Sequence, residues 1–349
     1  MKQRLIYIDV IRGLCIFVVI YTHVIGFGMA DAYPRTFIHD FLTSFFLIMF
    51  YFISGMMSYK EGMLTDNRSL ISYGWKKIRT LLIPSICVMG GYNLIVEGSL
   101  RTMLGPWNLW VTWFTYVLFF IAIIFGGCIY LVSKCKWKWI TNICLIVVAG
   151  ICYVLSRRNH ADYQLDMIFR IGAILYYLPY FFLGALCKRN PKWLQWLEKK
   201  SICAFAICLF MLVAFSVKEI PLCVRNVLVI LTVYYVIKRF TESVIDCGDN
   251  TWFESINRGC INFLKVLGQH SLEIYFVHFL MLFSLPSCIG AFLNQLSSDN
   301  CWWGHSSVGF VEFCIVGSIS AIIAVFSIFF AKIIGQIPYL NQLLFGKIK

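Results

Sequence analysis

Long runs of apolar residues, separated by short polar segments, recur along this chain of 349 residues. An α-helix needs about 20 apolar residues to cross the hydrocarbon core of a bilayer. The pattern predicts an all-α fold: a polytopic membrane bundle that forms a single domain over residues 1–349. About ten transmembrane helices are expected, at 11–30, 36–59, 81–97, 111–132, 139–156, 168–187, 201–217, 222–237, 268–290 and 308–334.

The composition supports a membrane protein, because 60% of the residues are hydrophobic and only 13% are charged. Soluble domains carry about 45–50% apolar and about 25% charged residues. No small-residue cleavage site follows the first apolar run, so we expect a retained helix there. The 15 cysteines lie mostly inside apolar runs and form no C-x-x-C pair. They predict packing residues rather than a disulfide framework or a metal site.

The distribution of Lys and Arg predicts the orientation of the bundle, because cytoplasmic loops of membrane proteins collect these residues. With the amino terminus inside, all but seven of the 30 Lys and Arg residues fall in cytoplasmic segments. The pattern therefore predicts that both termini are cytoplasmic. It also accounts for most of the net charge of +13, so a nucleic-acid partner is not expected.

Two polar residues interrupt the first apolar segment, RGLCIFVVIYTHV, which begins at Arg12 and contains His23. Eleven residues of helix place them about 20° apart around the axis and about 16 Å apart along it. An ionisable residue inside a span by default indicates function. Each residue taken alone also has a structural explanation: the Arg12 side chain could extend to the interface, and His23 could make a structural hydrogen bond. Arginine binds phosphate, and imidazole is a general base or acyl carrier. Together they indicate group transfer from a phosphate-bearing cytoplasmic donor.

Further polar residues are candidates for binding. A basic cluster precedes an apolar span on the predicted cytoplasmic side and consists of Lys76, Lys77 and Arg79. These residues are either ordinary anchors at the membrane surface or a binding site for the phosphates of the donor. Ser271 and His278 share a helix face, and His278 is either a bundle-packing residue or part of the acceptor site. The other candidates for acceptor binding, with interfacial anchoring as the alternative, are His39, Trp113, Tyr116 and Arg170.

Six segments, taken in order, resemble the motifs of the membrane-bound acyltransferase 3 family. Arg12 and His23 fit the family's mark of Arg or Lys, ten residues and then His. Lys76 stands where the family's basic R-x-x-R segment begins with arginine, whereas Arg79 is retained. Lysine keeps the charge but loses the bidentate geometry. The six segments are YIDVIRGLCIFVVIYTHV, FYFISGMMSY, KKIRTLLIP, WFTYVLF, LPYFFLGALC and GQHSLEIYFVHFL.

The resemblance implies a ten-helix O-acyltransferase of the cell inner or plasma membrane. Such an enzyme takes an acyl group, usually acetyl, from cytoplasmic acyl-CoA and delivers it to a hydroxyl of a carbohydrate, such as a polysaccharide or cell-surface glycan. The resemblance implies acetyl-CoA as a co-substrate, with no permanently bound cofactor and no metal. Arg12 and His23 would be catalytic, and Lys76, Lys77 and Arg79 would bind CoA. His23 would act as a general base or carry the acyl group.

A secondary transporter is the main alternative, because polar residues inside spans also mark substrate and proton routes. Transporters often carry repeats in matching halves, and this sequence has no clear symmetry of that kind. A non-enzymatic membrane scaffold is the third possibility, although a scaffold has no need for Arg12 and His23 on one face.

Overall fold

Helices dominate a computed structural model of the chain. The structure describes residues 5–28, 36–96, 98, 112–134, 138–158, 166, 169–199, 222–246, 252–282, 289 and 302–347. No β-strand occurs among these residues, and the predicted all-α class is confirmed. The predicted span at 201–217 lies outside the described residues, as does most of the end of the predicted span at 268–290.

The described part of the chain consists of α-helices joined by short segments of other helix types. Two of these segments are π-helical turns, Val24–Gly28 after the first α-helix and Ile78–Leu82 between the third and fourth. A 3-10 turn, His278–Met281, follows the eleventh helix. The helices are α1 (Ile6–His23), α2 (Phe37–Ser58), α3 (Asn67–Lys77), α4 (Ile83–Val96), α5 (Trp113–Ser133), α6 (Lys138–Arg158), α7 (Ile171–Arg189), α8 (Pro191–Leu197), α9 (Leu222–Asp246), α10 (Trp252–Gln269), α11 (Ser271–Val277), α12 (Trp302–Ile334) and α13 (Pro338–Phe345).

Seven stretches of helix in the described part are long and apolar enough to cross a membrane. A helix suits lipid because it satisfies its own backbone hydrogen bonds. The seven correspond to the first six predicted spans and the tenth, and a multi-pass membrane protein is confirmed. The full count of ten and the cytoplasmic termini stay predictions. The seven are Ile6–Phe27, Ile38–Ser58, Asn67–Ile95, Trp113–Ser133, Trp139–Arg157, Ile171–Arg189 and Gly309–Ile334.

The basic segment before the third predicted span is itself helical. Asp66 caps α3, since its carboxylate accepts a hydrogen bond from the Ser69 backbone N–H at 2.6 Å. The Ser69 hydroxyl oxygen accepts in return from the Asp66 N–H at 3.3 Å. Two hydrogen bonds lower the pKa of Asp66. The larger effect comes from the Ser69 backbone N–H and the smaller from the Ser69 hydroxyl. This reciprocal cap begins a polar helix, which a search for apolar runs does not recognise.

The longest polar segment of the sequence, about 239–268, also consists mostly of helix. Helix α9 continues to Asp246, and α10 covers most of the remainder. In α10, Ile261 and Leu267 are buried, whereas Trp252 at its start is 81% exposed. Apolar residues that recur every three to four positions produce an amphipathic helix of this kind. Its apolar face is too narrow to resemble a membrane span.

The chain divides into two compact units. The first unit comprises Met1–Phe50 and Leu197–Lys332, and the second comprises Tyr51–Trp196 and Ile333–Lys349. The single domain over residues 1–349 stays a prediction.

In the first unit, α1 lies against α10 at two glycines. A Cβ atom added to Gly13 would overlap the backbone carbonyl of Leu264, and one added to Gly268 would overlap that of Asp9. The pairing of 13 with 264 and of 9 with 268 makes the two helices antiparallel at this contact. Small residues allow such close backbone approach between helices in membranes. The contact fixes the position of α1, which carries the predicted catalytic pair.

The second unit has a similar contact between the end of α2 and α7. A Cβ atom at Gly55 would overlap the carbonyl of Phe181, and one at Gly184 would overlap the carbonyl of Phe52. Gly55 and Gly184 thus permit the close approach of these two helices. Helix α7 continues through Pro179, which membrane helices tolerate when neighbouring groups satisfy the backbone.

Candidate active site

Helix α1 carries Arg12 and His23, and both side chains contact one short stretch of the first unit. Arg12 Nη2 donates a hydrogen bond to Ser271 Oγ at 2.7 Å. His23 Nδ1 lies 3.0 Å from His278 Nε2. Ser271 begins α11 and His278 begins the turn that follows it, so about two turns of helix separate them on one face. Arg12 and His23 of α1 thus contact Ser271 and His278, respectively.

The hydrogen bonds of His278 determine which imidazole nitrogens carry protons. His278 Nδ1 lies 3.1 Å from the backbone carbonyl oxygen of Ile274, and a carbonyl oxygen only accepts. We therefore assign the proton of neutral His278 to Nδ1, which leaves its Nε2 as an acceptor. His23 Nδ1 must then donate to His278 Nε2, so the lone pair of neutral His23 is at Nε2. The described residues offer no hydrogen-bond partner to that atom.

Aromatic rings hold the imidazole of His23 in place. The ring centroid of Phe279 lies 4.7 Å from that of His23, and the centroid of Phe27 lies 5.8 Å away. His278 is fully buried, whereas His23 is only half-buried. The arrangement leaves one edge of His23 accessible while its other edge is fixed by a buried partner. This is the geometry that a general base or an acyl carrier needs.

A buried carboxylate in the same unit was missed by the sequence reasoning. Glu312 of α12 is fully buried and accepts a hydrogen bond from the Tyr21 hydroxyl at 2.5 Å. The Thr36 hydroxyl donates to its other carboxylate oxygen. Tyr21 stands two residues before His23 on α1. A lone glutamate inside an apolar span was the available signal, because such residues by default indicate function.

The predicted CoA-binding residues lie on the helix that runs through α3 and its π-helical turn in the second unit. Lys76 is exposed at the end of α3. Lys77 Nζ lies 3.5 Å from Ser58 Oγ and 5.3 Å from the centroid of the Tyr73 ring. Arg79 Nε is buried without a hydrogen-bond partner in the described part of the chain. The three cations therefore differ in exposure, and their role in donor binding stays a prediction.

The candidate acceptor residues do not form one group. Trp113 and Arg170 both line a cavity of about 420 Å³ in the second unit. Tyr116 packs on Phe120 instead, with ring centroids 4.9 Å apart, and it is not among the described residues that line this cavity. His39, in the first unit, lies beside Asp40, with 3.4 Å between Nδ1 and Oδ1.

Residues 5–331 match a family model described as an acyltransferase domain. The match covers nearly the whole chain and includes Arg12, His23 and His278. The chain belongs to the membrane acyltransferase 3 family. No curated protein and no solved structure matches it.

Membership of the acyltransferase 3 family, with the membrane-spanning helices, makes this protein a multi-pass membrane acyltransferase. The family therefore supports the reaction class. The catalytic roles of Arg12 and His23 stay predictions for this acyltransferase, as do the donor and the acceptor. His278 was predicted for acceptor binding, and in the structure it lies beside the imidazole of His23.

Proposed function

We propose that this acyltransferase transfers an acyl group, in the simplest case acetyl, from acetyl-CoA to a hydroxyl of a carbohydrate acceptor. The observation that carries the proposal is the state of His23, whose Nδ1 is held by His278 while its Nε2 keeps a lone pair. A nitrogen in this state takes the proton of a hydroxyl that comes within about 3 Å. Acetyl-CoA serves as a co-substrate, and a polysaccharide or other cell-surface glycan is the acceptor class implied by the family.

The reaction proceeds in one displacement. His23 Nε2 removes the proton from the acceptor hydroxyl as the hydroxyl oxygen attacks the thioester carbonyl. The carbon–sulfur bond breaks, CoA leaves as a thiolate, and the proton held at His23 Nε2 then passes to that sulfur. His23 is a cation between the two proton transfers, and it is stabilised because its Nδ1–H donates to the Nε2 lone pair of His278.

Donor recognition rests on cationic side chains. Arg12 keeps its charge at all relevant pH values, and its hydrogen bond to Ser271 at 2.7 Å orients the guanidinium. Lys76, Lys77 and Arg79 supply charge-assisted hydrogen bonds to the phosphates of CoA. We place the enzyme in the cell inner or plasma membrane, where cytoplasmic acetyl-CoA and a surface glycan are both within reach.

Purified protein in lipid nanodiscs, incubated with radiolabelled acetyl-CoA and a panel of glycans, tests the proposal. The wild-type protein should release CoA and label a glycan. His23→Ala should reduce the rate by at least about 100-fold, the contribution typical of a general base. His270→Gln is the matched control, because His270 is a half-exposed histidine of the same unit and should leave the rate unchanged.

Three outcomes would contradict parts of this proposal. An active His23→Ala enzyme would remove the chemistry assigned to this residue. Acetyl-His23 found by mass spectrometry, without acceptor and at a rate that matches turnover, would replace the single displacement with a covalent relay. Intact acetyl-CoA together with solute movement in vesicles would favour a transporter.

A further inference from the structure

A cavity of about 420 Å³ in the second unit combines aromatic side chains with one arginine. Its described lining comes from the beginnings of α5 and α7. Ligand sites commonly join apolar walls to a few polar groups that fix orientation. The described residues that line this cavity are Trp113, Arg170, Gly172, Ala173, Tyr176 and Tyr177.

Arg170 is held in an unusual backbone conformation at the start of α7. Its φ angle is 51°, the only positive φ of a non-glycine residue in the described part of the chain. Asp166 supports this turn, since its backbone carbonyl accepts from the Arg170 N–H at 2.8 Å and its Oδ1 accepts from the Gly172 N–H at 2.6 Å. Left-handed backbone on a residue with a side chain is costly and clusters at functional sites. Arg170, in this turn, is part of the cavity lining.

The charge of Arg170 has no counterpart within the described residues. Its Nε is buried and lacks a hydrogen-bond partner there. The nearest carboxylate along the chain, that of Asp166, accepts a backbone N–H instead. A buried donor that is left unpaired costs free energy, and a guanidinium is a planar fork that fits a carboxylate. Within the described part of the chain, the cavity therefore offers a recognition element for an anion, the Arg170 guanidinium, whose Nε is not engaged.

The aromatic side chains of the cavity suit a sugar ring. The ring centroids of Trp113 and Tyr177 lie 6.0 Å apart, and their planes differ by 36°. Tyr176 stands nearly perpendicular to Tyr177, with centroids 4.9 Å apart. Aromatic faces carry partial negative charge, and they attract the polarised C–H groups on the face of a pyranose. Such walls favour a carbohydrate over a purely aliphatic acid.

We propose that this cavity binds an acidic sugar, with the carboxylate on the Arg170 guanidinium and the pyranose ring against Trp113 and Tyr177. The carbohydrate class of the ligand rests on the proposed function. Arg170 is the sole cation among the described lining residues, so it matches the single charge of a carboxylate better than the double charge of a phosphate monoester. The acyltransferase would thus select an acceptor that contains uronic acid or a related acidic residue.

Saturation-transfer NMR on the purified protein in nanodiscs tests this without any acyl transfer. The probes are methyl glucuronide and methyl glucoside, which differ in the carboxylate. The glucuronide should bind the wild-type protein at least about 10-fold more tightly than the glucoside, because a hydrogen bond to a charged group has about this effect. Arg170→Gln should remove the difference, and Arg170→Lys should retain part of it. Trp113→Leu should weaken both probes.

Arg225→Gln is the matched control, because Arg225 is an exposed arginine of α9 and should not affect binding. All variants are first compared with the wild type by size-exclusion elution. Equal binding of the two probes, insensitivity to Arg170→Gln, or no binding of the glucuronide would overturn the proposal. CoA release from acetyl-CoA by the wild-type protein distinguishes the two failures. If only the acidic-sugar site is wrong, CoA release persists, whereas failure of the proposed function appears as the absence of CoA release.

Discussion

At the scale of single residues, the contact between His23 and His278 carries the most chemical information. Two imidazoles in hydrogen-bond contact must divide the roles of donor and acceptor, and the Ile274 carbonyl settles that division. His278 then occupies the place that a carboxylate takes in many catalytic triads. It differs from a carboxylate in being neutral, so it orients the base with less electrostatic stabilisation of the protonated form.

This role for His278 predicts a separation of kinetic effects. His278→Ala should lower kcat by about 100-fold, since His23 loses the partner that fixes its tautomer, while the KM for acetyl-CoA stays within about twofold. His278→Gln should recover part of kcat, because the glutamine oxygen can accept from His23 Nδ1. Steady-state kinetics and nitrogen-15 NMR of the His23 tautomer are the measurements. A loss confined to KM, or Gln and Ala variants that behave alike, would argue against a positioning role.

The sequence predicted part of this site. Helical geometry alone placed Arg12 and His23 on one face, and likewise Ser271 and His278. It did not join the two pairs, because 255 residues separate His23 from His278 along the chain. The Glu312 site depends on an even longer separation, 291 residues from Tyr21. Contacts of this kind follow from packing of the whole unit rather than from local pattern.

At the scale of helices, glycine contacts determine where α1 stands. Apolar packing alone gives little specificity in lipid, because lipid tails are as apolar as the side chains. At Gly13 the backbone of α10 occupies the space of a side chain. Arg12 immediately precedes Gly13, so a shift of this contact would also move the Arg12 guanidinium. The position of the site therefore depends on a residue without functional groups.

Gly13→Ala should consequently destabilise the protein more than an alanine substitution in an open helix position. The added methyl group meets the Leu264 carbonyl, and overpacking typically costs about 1–3 kcal/mol or more. Gly150→Ala in α6 is the control, since nothing lies within 4 Å of its Cβ position. Thermal unfolding in detergent micelles compares the two. Equal midpoints for Gly13→Ala and Gly150→Ala would contradict the close contact.

Helix prediction succeeded where apolar runs were long and failed where helices were polar. The spans that became α2 and α5 were located to within a few residues. Helices α3 and α10 were missed because their stability comes from a cap and from a single apolar face, respectively. The signals were present in the sequence, as Asp66 with Ser69 and as the recurrence of Ile261, Leu264 and Leu267 every three residues. Neither signal is a long apolar run, which is what predicts a membrane span.

At the scale of the whole molecule, the number of membrane crossings, odd or even, determines on which side of the membrane the carboxyl terminus lies. The described part contains seven candidate spans. An odd number would place the two termini on opposite sides. The distribution of Lys and Arg predicts that both are cytoplasmic, and this requires an even number. At least one further crossing must then come from the segments at 201–217, 222–237 and 268–290.

Reporter fusions test this prediction directly. Green fluorescent protein fused after residue 349 should fluoresce, and alkaline phosphatase at the same position should be inactive, because the carboxyl-terminal Lys residues retain that end in the cytoplasm. Alkaline phosphatase fused after residue 33, in the first predicted outer loop, is the positive control and should be active. An active phosphatase after residue 349 would show an odd number of crossings. In that case either none or two of the three remaining segments would span the bilayer, and the ten-helix bundle would be wrong.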